Sequence, residues 1–369
     1  MTLNRRNLIA AGVAALGGLA VGAAGGYVLG RQPSPFITTT TTLARTIKET
    51  VTVTPASEKQ TITIGEVPAL AIAPLYVALE KDLFSKQGLE PRLTPIPAGS
   101  GPSIEAIVSG SVDVSSVDFA SVMKLADNRG IYLKTVHNLY VVGNYRGRKT
   151  PTDTAPSLIV RKDVNKISDL KGKKIAVNAL QALPHMVVNI VLQKAGLNPA
   201  TDVNFVEIPF VNMLQPLATG EVDAALMIEP FATFAIARGI GKPLIDPPAL
   251  PFQSIYPVAL GDPVFVAAYF TTESTLARKK SIMAAFARTI AEGVRHLYGD
   301  LEESTAILAK RFNLDKAVIE ASLRGAIFAP DPNGFKDHEF LRPQMENLLK
   351  AGYLTKQIEL SNLSTSFTS

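Results

Sequence analysis

A short phrase occurs twice in this chain, and its repetition constrains the fold more than any other feature. Ser109-Gly110-Ser111-Val112-Asp113-Val114-Ser115-Ser116-Val117-Asp118 returns as Thr219-Gly220-Glu221-Val222-Asp223-Ala224-Ala225-Leu226-Met227-Ile228-Glu229-Pro230. Gly110 and Gly220 are 110 residues apart, as are Asp113 and Asp223. Each copy predicts the end of a helix (Ile104 to Val108; Leu214 to Ala218) running into a glycine. A helix C-cap in the left-handed region favours that residue, because it has no Cβ to clash. An apolar run follows, short enough for one buried strand, and closes on an acid, Asp118 or Glu229.

The flanks repeat as well. Pro74 and Pro184, again 110 residues apart, each open a predicted helix, where proline at the first turn forfeits no needed hydrogen bond. Those helices close at Gly88-Leu89-Glu90-Pro91 and Gly196-Leu197-Asn198-Pro199. Arg129-Gly130-Ile131 and Arg238-Gly239-Ile240 follow the phrase in each half. Each half therefore reads strand, helix, strand, helix, glycine turn, strand, helix, which points to an internal duplication. Strands alternating with helices predict an α/β fold, two lobes with mainly parallel sheets flanked by helices. In such sheets ligands bind beyond the carboxyl ends of the strands.

A chain of 369 residues has room for about two domains of roughly 100–200 residues each. Residues 1–60 hold six Lys/Arg and two acids; the remainder carries 31 Lys/Arg against 30 Asp/Glu. The folded part is thus near neutral, and no basic stripe with aromatics argues for nucleic acid. Cysteine is absent, which excludes disulfides, thiolate metal sites, a cysteine nucleophile and a lipidated cysteine anchor.

Arg5-Arg6 precede an uncharged run from Leu8 to Leu29. About 20 apolar residues span a bilayer, and the paired arginines resemble a twin-arginine export signal. The length favours an anchor in residues 1–30 over a cleaved signal, whose apolar core is shorter. Residues 31–60 form a Thr-rich stretch that reads as an exposed stalk. The body is expected as lobe I from 61–155 and 258–355, lobe II from 156–257, and a tail over 356–369. Hinges are expected near Thr154–Ser157 and Pro257–Pro263. From Ser274 onward the pattern is helical, with helices expected over Glu302–Phe312, Lys316–Phe328 and Asp337–Ala351.

The chemistry is that of binding. The four histidines, His137, His185, His296 and His338, show no metal-ligand spacing. No phosphate-binding glycine motif of the P-loop or dinucleotide type occurs. Gly99-Ser100-Gly101-Pro102-Ser103 enters a helix, so free N–H groups and hydroxyls of Ser100, Gly101 and Ser103 suit an anion, or merely cap the helix. Gln181, His185 and Asn212 lie on the matching loops of the second half; Asn212 with Gln215 also fits a capping box. Asp118, next to Phe119, and Glu229 read equally as ligand hydrogen-bond acceptors and as helix N-terminal acids. The loop N–H groups favour a small anion. The two acids with the nearby aromatics favour an amine or nitrogen heterocycle.

Asp169-Leu170-Lys171-Gly172-Lys173-Lys174-Ile175-Ala176-Val177, Gly196-Leu197, Gly220-Glu221-Val222-Asp223-Ala224-Ala225 and Glu229-Pro230 resemble one family in their order. It is that of the nitrate/sulfonate/taurine/bicarbonate and thiamine-pyrimidine-type solute-binding proteins of ABC importers. Leu75-Tyr76-Val77-Ala78-Leu79-Glu80-Lys81-Asp82-Leu83-Phe84 resembles the family's first helix, and the likeness runs over about residues 61–350. It implies a two-lobed periplasmic-binding-protein-like type II fold, placed outside the cytoplasm. It also implies closure on a small ligand, delivery to a permease with its ATPase, no cofactor and no enzymatic step. An enzyme on the same fold and a ligand-sensing module are the alternatives. The family's pyrimidine-forming enzymes carry a cysteine-rich motif that this chain lacks.

Overall fold

The computed structural model describes residues 59–97, 99–145, 148–149, 157–244, 254–324 and 327–367. The apolar run at 8–29, nearly all of the Thr-rich stretch and the expected hinge near Thr154–Ser157, except Ser157 itself, lie outside them. Among the described residues no helix is long and apolar enough to cross a membrane.

The first half begins with β1 (Gln60–Glu66), then α1 (Ala73–Glu80), a short α2 (Leu83–Lys86) and β2 (Leu89–Pro95). It continues with α3 (Ser100–Ser109), β3 (Val114–Asp118), α4 (Phe119–Arg129) and β4 (Lys134–Val142). A small hairpin, β5 (Asn144–Tyr145) with β6 (Arg148–Lys149), leads towards the second half. That half is β7 (Ser157–Val160), β8 (Lys174–Val177), α5 (Leu183–Lys194), β9 (Asn204–Glu207), α6 (Leu214–Thr219), β10 (Ala224–Met227), α7 (Phe231–Ala237) and β11 (Lys242–Pro243). The return runs through α8 (Tyr256–Leu260), β12 (Val264–Thr271), α9 (Glu273–Arg278), α10 (Lys280–Gly299), α11 (Leu301–Phe312), α12 (Lys316–Arg324), β13 (Ile327–Phe328) and α13 (Arg342–Lys350).

Two sheets result, in the orders β13-β4-β12-β3-β1-β2 and β11-β7-β10-β8-β9. The duplicated halves match strand for strand: β2-β1-β3 in one sheet has the same order as β9-β8-β10 in the other, and both triplets are parallel. The sheets are nevertheless mixed. β12 runs against both of its neighbours, β3 and β4, and β7 runs against β10 and β11. The reversed strands are those that enter or leave the duplicated unit, so the repeat alone does not specify them.

The repeated phrase has a structural task. Gly110 and Gly220 sit at φ 78° and φ 80°, the left-handed caps of α3 and α6. Asp113 then accepts the N–H of Thr63 at 2.9 Å and returns its own N–H to the Thr63 carbonyl at 2.9 Å. Asp223 does the same with Lys174, at 3.0 and 2.9 Å. In each half, then, the aspartate locks the start of the third strand onto the first. Lys279 pairs with Asp113 at 2.6 Å, and Lys173 with Asp223 at 3.3 Å.

Within the segment Leu75–Phe84, Leu75 and Leu83 are fully buried, but Leu83 belongs to α2 because the chain turns at Asp82. The long apolar face of α10 buries Met283, Phe286, Ile290, Val294 and Leu297. It packs so closely on α1 that a Cβ on Gly293 would collide with the Pro74 carbonyl. One expectation is corrected. The helix expected over Lys316–Phe328 gives way to an edge strand at its end: α12 runs to Arg324, and buried Ile327 and Phe328 pair with Val141 and Tyr140. Near the expected hinge at Pro257–Pro263 lies the short helix α8, whose Tyr256, Ala259 and Leu260 are buried.

Candidate functional site

A cavity of about 90 Å³ lies where the carboxyl ends of the two sheets meet. β3 supplies Ser116, Val117 and Asp118; β4 supplies Tyr140, and β12 supplies Val266 and Ala267. The second sheet contributes Asn178, just past β8, and Ile228 and Glu229, just past β10. Val67, Ala69 and Ala71 close one side from the loop after β1, and Leu183, Pro184, Phe210 and Tyr256 another. The wall is mostly apolar, with a few polar groups that converge, the usual make-up of a small-molecule pocket.

Asp118 is the N-cap of α4. Its carboxyl accepts the Ser121 N–H and hydroxyl, both at 2.7 Å. Its own N–H donates to Ser100 Oγ at 3.1 Å. Burial pushes its carboxyl above the usual carboxylate range, and the hydrogen bonds from Ser100 and Ser121 pull it back in part. Glu229 is 4% exposed and accepts the N–H of Thr233 at 3.2 Å. Burial raises it to about 7, against hydrogen bonds from Thr233 and Ser322 that lower it. The two readings of these acids are therefore not exclusive: each engages a helix N-terminus and lines the cavity.

Of the residues singled out in the sequence, the structure brings Ser100, Asp118 and Glu229 to this cavity. Gly101 is exposed one residue further along α3. Ser103 is buried and accepts the hydroxyl of Ser115 at 3.1 Å, so it ties α3 to β3 instead of facing the cavity. Phe119 is fully buried, packing on Phe265, Phe270 and Phe335; once Asp118 turns to cap the helix, the next side chain points into the core. Gln181 and His185 line a separate surface groove with Asn189 and Phe205. His185 Nδ1 accepts the Gln181 N–H at 2.9 Å and its ring meets Phe205 edge-on at 4.5 Å, so it braces the start of α5. Burial lowers its pKa. Asn212 is exposed at the end of a short turn.

Sequence reasoning passed over Tyr140, Val266 and Ala267. They reach the cavity only because β12 inserts between β3 and β4, a non-local event with no local signal. Asn178 directly follows β8, and the change there from apolar Ile175-Ala176-Val177 to an amide is the signal in the sequence that marks it. Among the described residues no group of three or more His, Asp or Glu is placed to hold a metal ion.

Comparison with known proteins gives three kinds of match. A model of the NMT1-like family matches residues 55–311. The putative binding protein YtlA of Bacillus subtilis is 25% identical over 303 residues, covering 79% of this chain and 83% of that one. The nitrate import ATP-binding protein NrtC of Synechocystis is 25% identical over 195 residues, which is 50% of this chain and 28% of that longer relative. Among solved structures, the periplasmic aliphatic sulphonate binding protein SsuA of Escherichia coli superposes with a TM-score of 0.61 at 18% identity, over 83% of this chain and 97% of that one. That likeness is one of fold: two α/β sheets flanked by helices, as in periplasmic binding proteins.

Proposed function

This chain belongs to the NMT1-like family, and from that premise we propose that it is the extracytoplasmic solute-binding protein of an ABC import system. It captures a small solute between two lobes, 61–155 with 258–355 and 156–257, and presents it to a permease with its ATPase. Residues 8–29 hold it at the outer membrane face, and it carries out no chemical step on the solute. Of the relatives named above, SsuA binds aliphatic sulphonates and NrtC is an ATP-binding protein of nitrate import, and the sequence resemblance adds bicarbonate, taurine and pyrimidine types to the candidates.

One observation carries the reading. The cavity is built jointly by the strand ends of both sheets, so neither half can enclose a solute alone. Burying a solute between two bodies turns binding energy into closure, and the closed form is what a permease can recognise. A thermal-shift screen over nitrate, bicarbonate, sulphonates, taurine, pyrimidines and small amines tests it. A solute that binds only the folded state raises the melting temperature. One saturable solute, recovered unchanged, is the expected result. Turnover of that solute would place the protein among enzymes, and a flat screen would remove the solute-capture reading.

A further inference from the structure

We infer that the cavity takes a small, largely apolar nitrogen base, bound through N–H donors, and not an oxyanion. The inference rests on the reading of this cleft as the solute site.

The first ground is charge. Among the described residues lining the cavity, the only ionisable side chains are Asp118, Glu229, Tyr140 and Tyr256, all acids. No lysine, arginine or histidine is among them. An oxyanion here would sit between two carboxyls without a cation to pair it, which is the costly arrangement for a buried charge.

The second ground is that the helix N-termini that would attract an anion already hold the chain's own carboxyls. Asp118 takes the Ser121 N–H of α4, and Glu229 takes the Thr233 N–H of α7. At α3 the third residue, Pro102, has no N–H to offer, and Gly101 does not line the cavity.

The third ground is an acceptor that lacks a donor. Asn178 is 9% exposed and lines the cavity, and its buried Oδ1 has no hydrogen-bond partner among the described residues. An N–H group supplies what a buried carbonyl oxygen requires. Asp118, Glu229 and Asn178 thus line the cavity with acceptors and no cation, the polarity that a base, and not an oxyanion, satisfies. The rings of Tyr140 and Tyr256 add aromatic walls, which attract a cationic nitrogen through their π-faces. The raised value of Glu229 agrees, since a buried carboxyl that resists ionising gains most from a positive neighbour.

The test is calorimetric titration of the whole protein with imidazole, 4-aminopyridine and cyclohexylamine, and separately with nitrate and methanesulphonate. At least one base should bind saturably, and both oxyanions should give no saturable heat. Glu229→Gln and Asp118→Asn should each weaken the base roughly tenfold or more, about the effect of one lost charged contact. Asparagine caps a helix as well as aspartate does, so Asp118→Asn separates loss of charge from loss of fold. Saturable nitrate or methanesulphonate with no base bound overturns the inference and leaves solute capture standing. A base that binds both variants as tightly as the parent also overturns it, since its site is then elsewhere. Silence from all five probes overturns it together with the solute-capture reading.

Discussion

The backbone N–H of Leu70 donates to the backbone carbonyl of Glu229 at 2.9 Å, joining the loop after β1 to the strand end of the other sheet beside the cavity. That hydrogen bond crosses the cleft, and both of its partners belong to segments that line the cavity. The two sheets are thus tied to each other at this point.

Opening the cleft must break the Leu70–Glu229 bond, so the Leu70 amide reports closure. Hydrogen exchange read by mass spectrometry on the peptide holding Leu70 should slow by about tenfold or more when a binding solute saturates the protein, since 1.4 kcal/mol of added closure gives that factor. Exchange at an unchanged rate would mean that binding does not close the two halves.

Glu229 should make stability depend on pH in a set direction. The unfolded carboxyl loses its proton near 4.5 and the folded one at about 7, so between these values the folded chain holds more protons. Its contribution is fully present below 4.5 and is lost as pH rises through 7. Between 4.5 and about 7 the loss is about 3 kcal/mol, at 1.36 kcal/mol per pKa unit. Asp118, also raised, acts in the same sense. His137 acts oppositely: burial holds it at about 3, so its contribution fades as pH falls below 6.5. Urea denaturation of the parent and of Glu229→Gln across pH 4.5 to 7 isolates the contribution of Glu229. The parent should lose ground to the variant as pH rises, and a constant difference would refute the assignment.

The repeated aspartates should be structural and unequal. Asp113→Ala and Asp223→Ala each strip a strand N–H of its acceptor, a loss of about 1–3 kcal/mol for a buried group. Asp113 is the more buried, with 10% of its side chain exposed against 22% for Asp223, and its pair with Lys279 at 2.6 Å is shorter than that of Asp223 with Lys173 at 3.3 Å. Denaturation midpoints should therefore drop further for Asp113→Ala. Equal midpoints to the parent in both variants would mean the phrase repeats for some other reason.

Much of this was legible in the sequence because the halves repeat local rules. A glycine forced into the left-handed region and an aspartate two strands away from its partner mark the same junction twice, as Gly110/Asp113 and Gly220/Asp223. The two acids at the cavity were visible because they end those strands. What stayed hidden depends on non-local pairing. Tyr140 and Ala267 meet only through the insertion of β12, and Phe119 cannot be assigned to core or cleft until the cap at Asp118 fixes its direction. His185 and Gln181 carried suggestive chemistry, but their hydrogen bond to each other spends it on the start of α5.

Two substitutions should separate core from site. Phe119→Ala should cost about 3–5 kcal/mol of stability, the usual loss for a buried phenylalanine, and is read by thermal melting. Asn212→Ala should change neither stability nor solute affinity, because the side chain is exposed and away from the cavity. A loss of affinity in Asn212→Ala with an unchanged melting temperature would move the site.

The N-terminal reading is checked by peptide mapping of protein recovered from its native membrane fraction. Peptides from within residues 8–29 should be present. A mature terminus beyond residue 30 would make the run a cleaved export signal.

The claim on which the rest depends is that the cavity between the strand ends holds the solute. Ala71 lines it and is only partly buried, so Ala71→Phe can fill the space without breaking the core. Calorimetric titration of the best-binding compound of the thermal-shift screen into Ala71→Phe, beside the parent, measures this directly. With the variant folded to the parent's melting temperature, affinity should fall by about tenfold or more, the cost of losing roughly 1.4 kcal/mol of contact. A folded Ala71→Phe that binds as tightly as the parent would contradict the account.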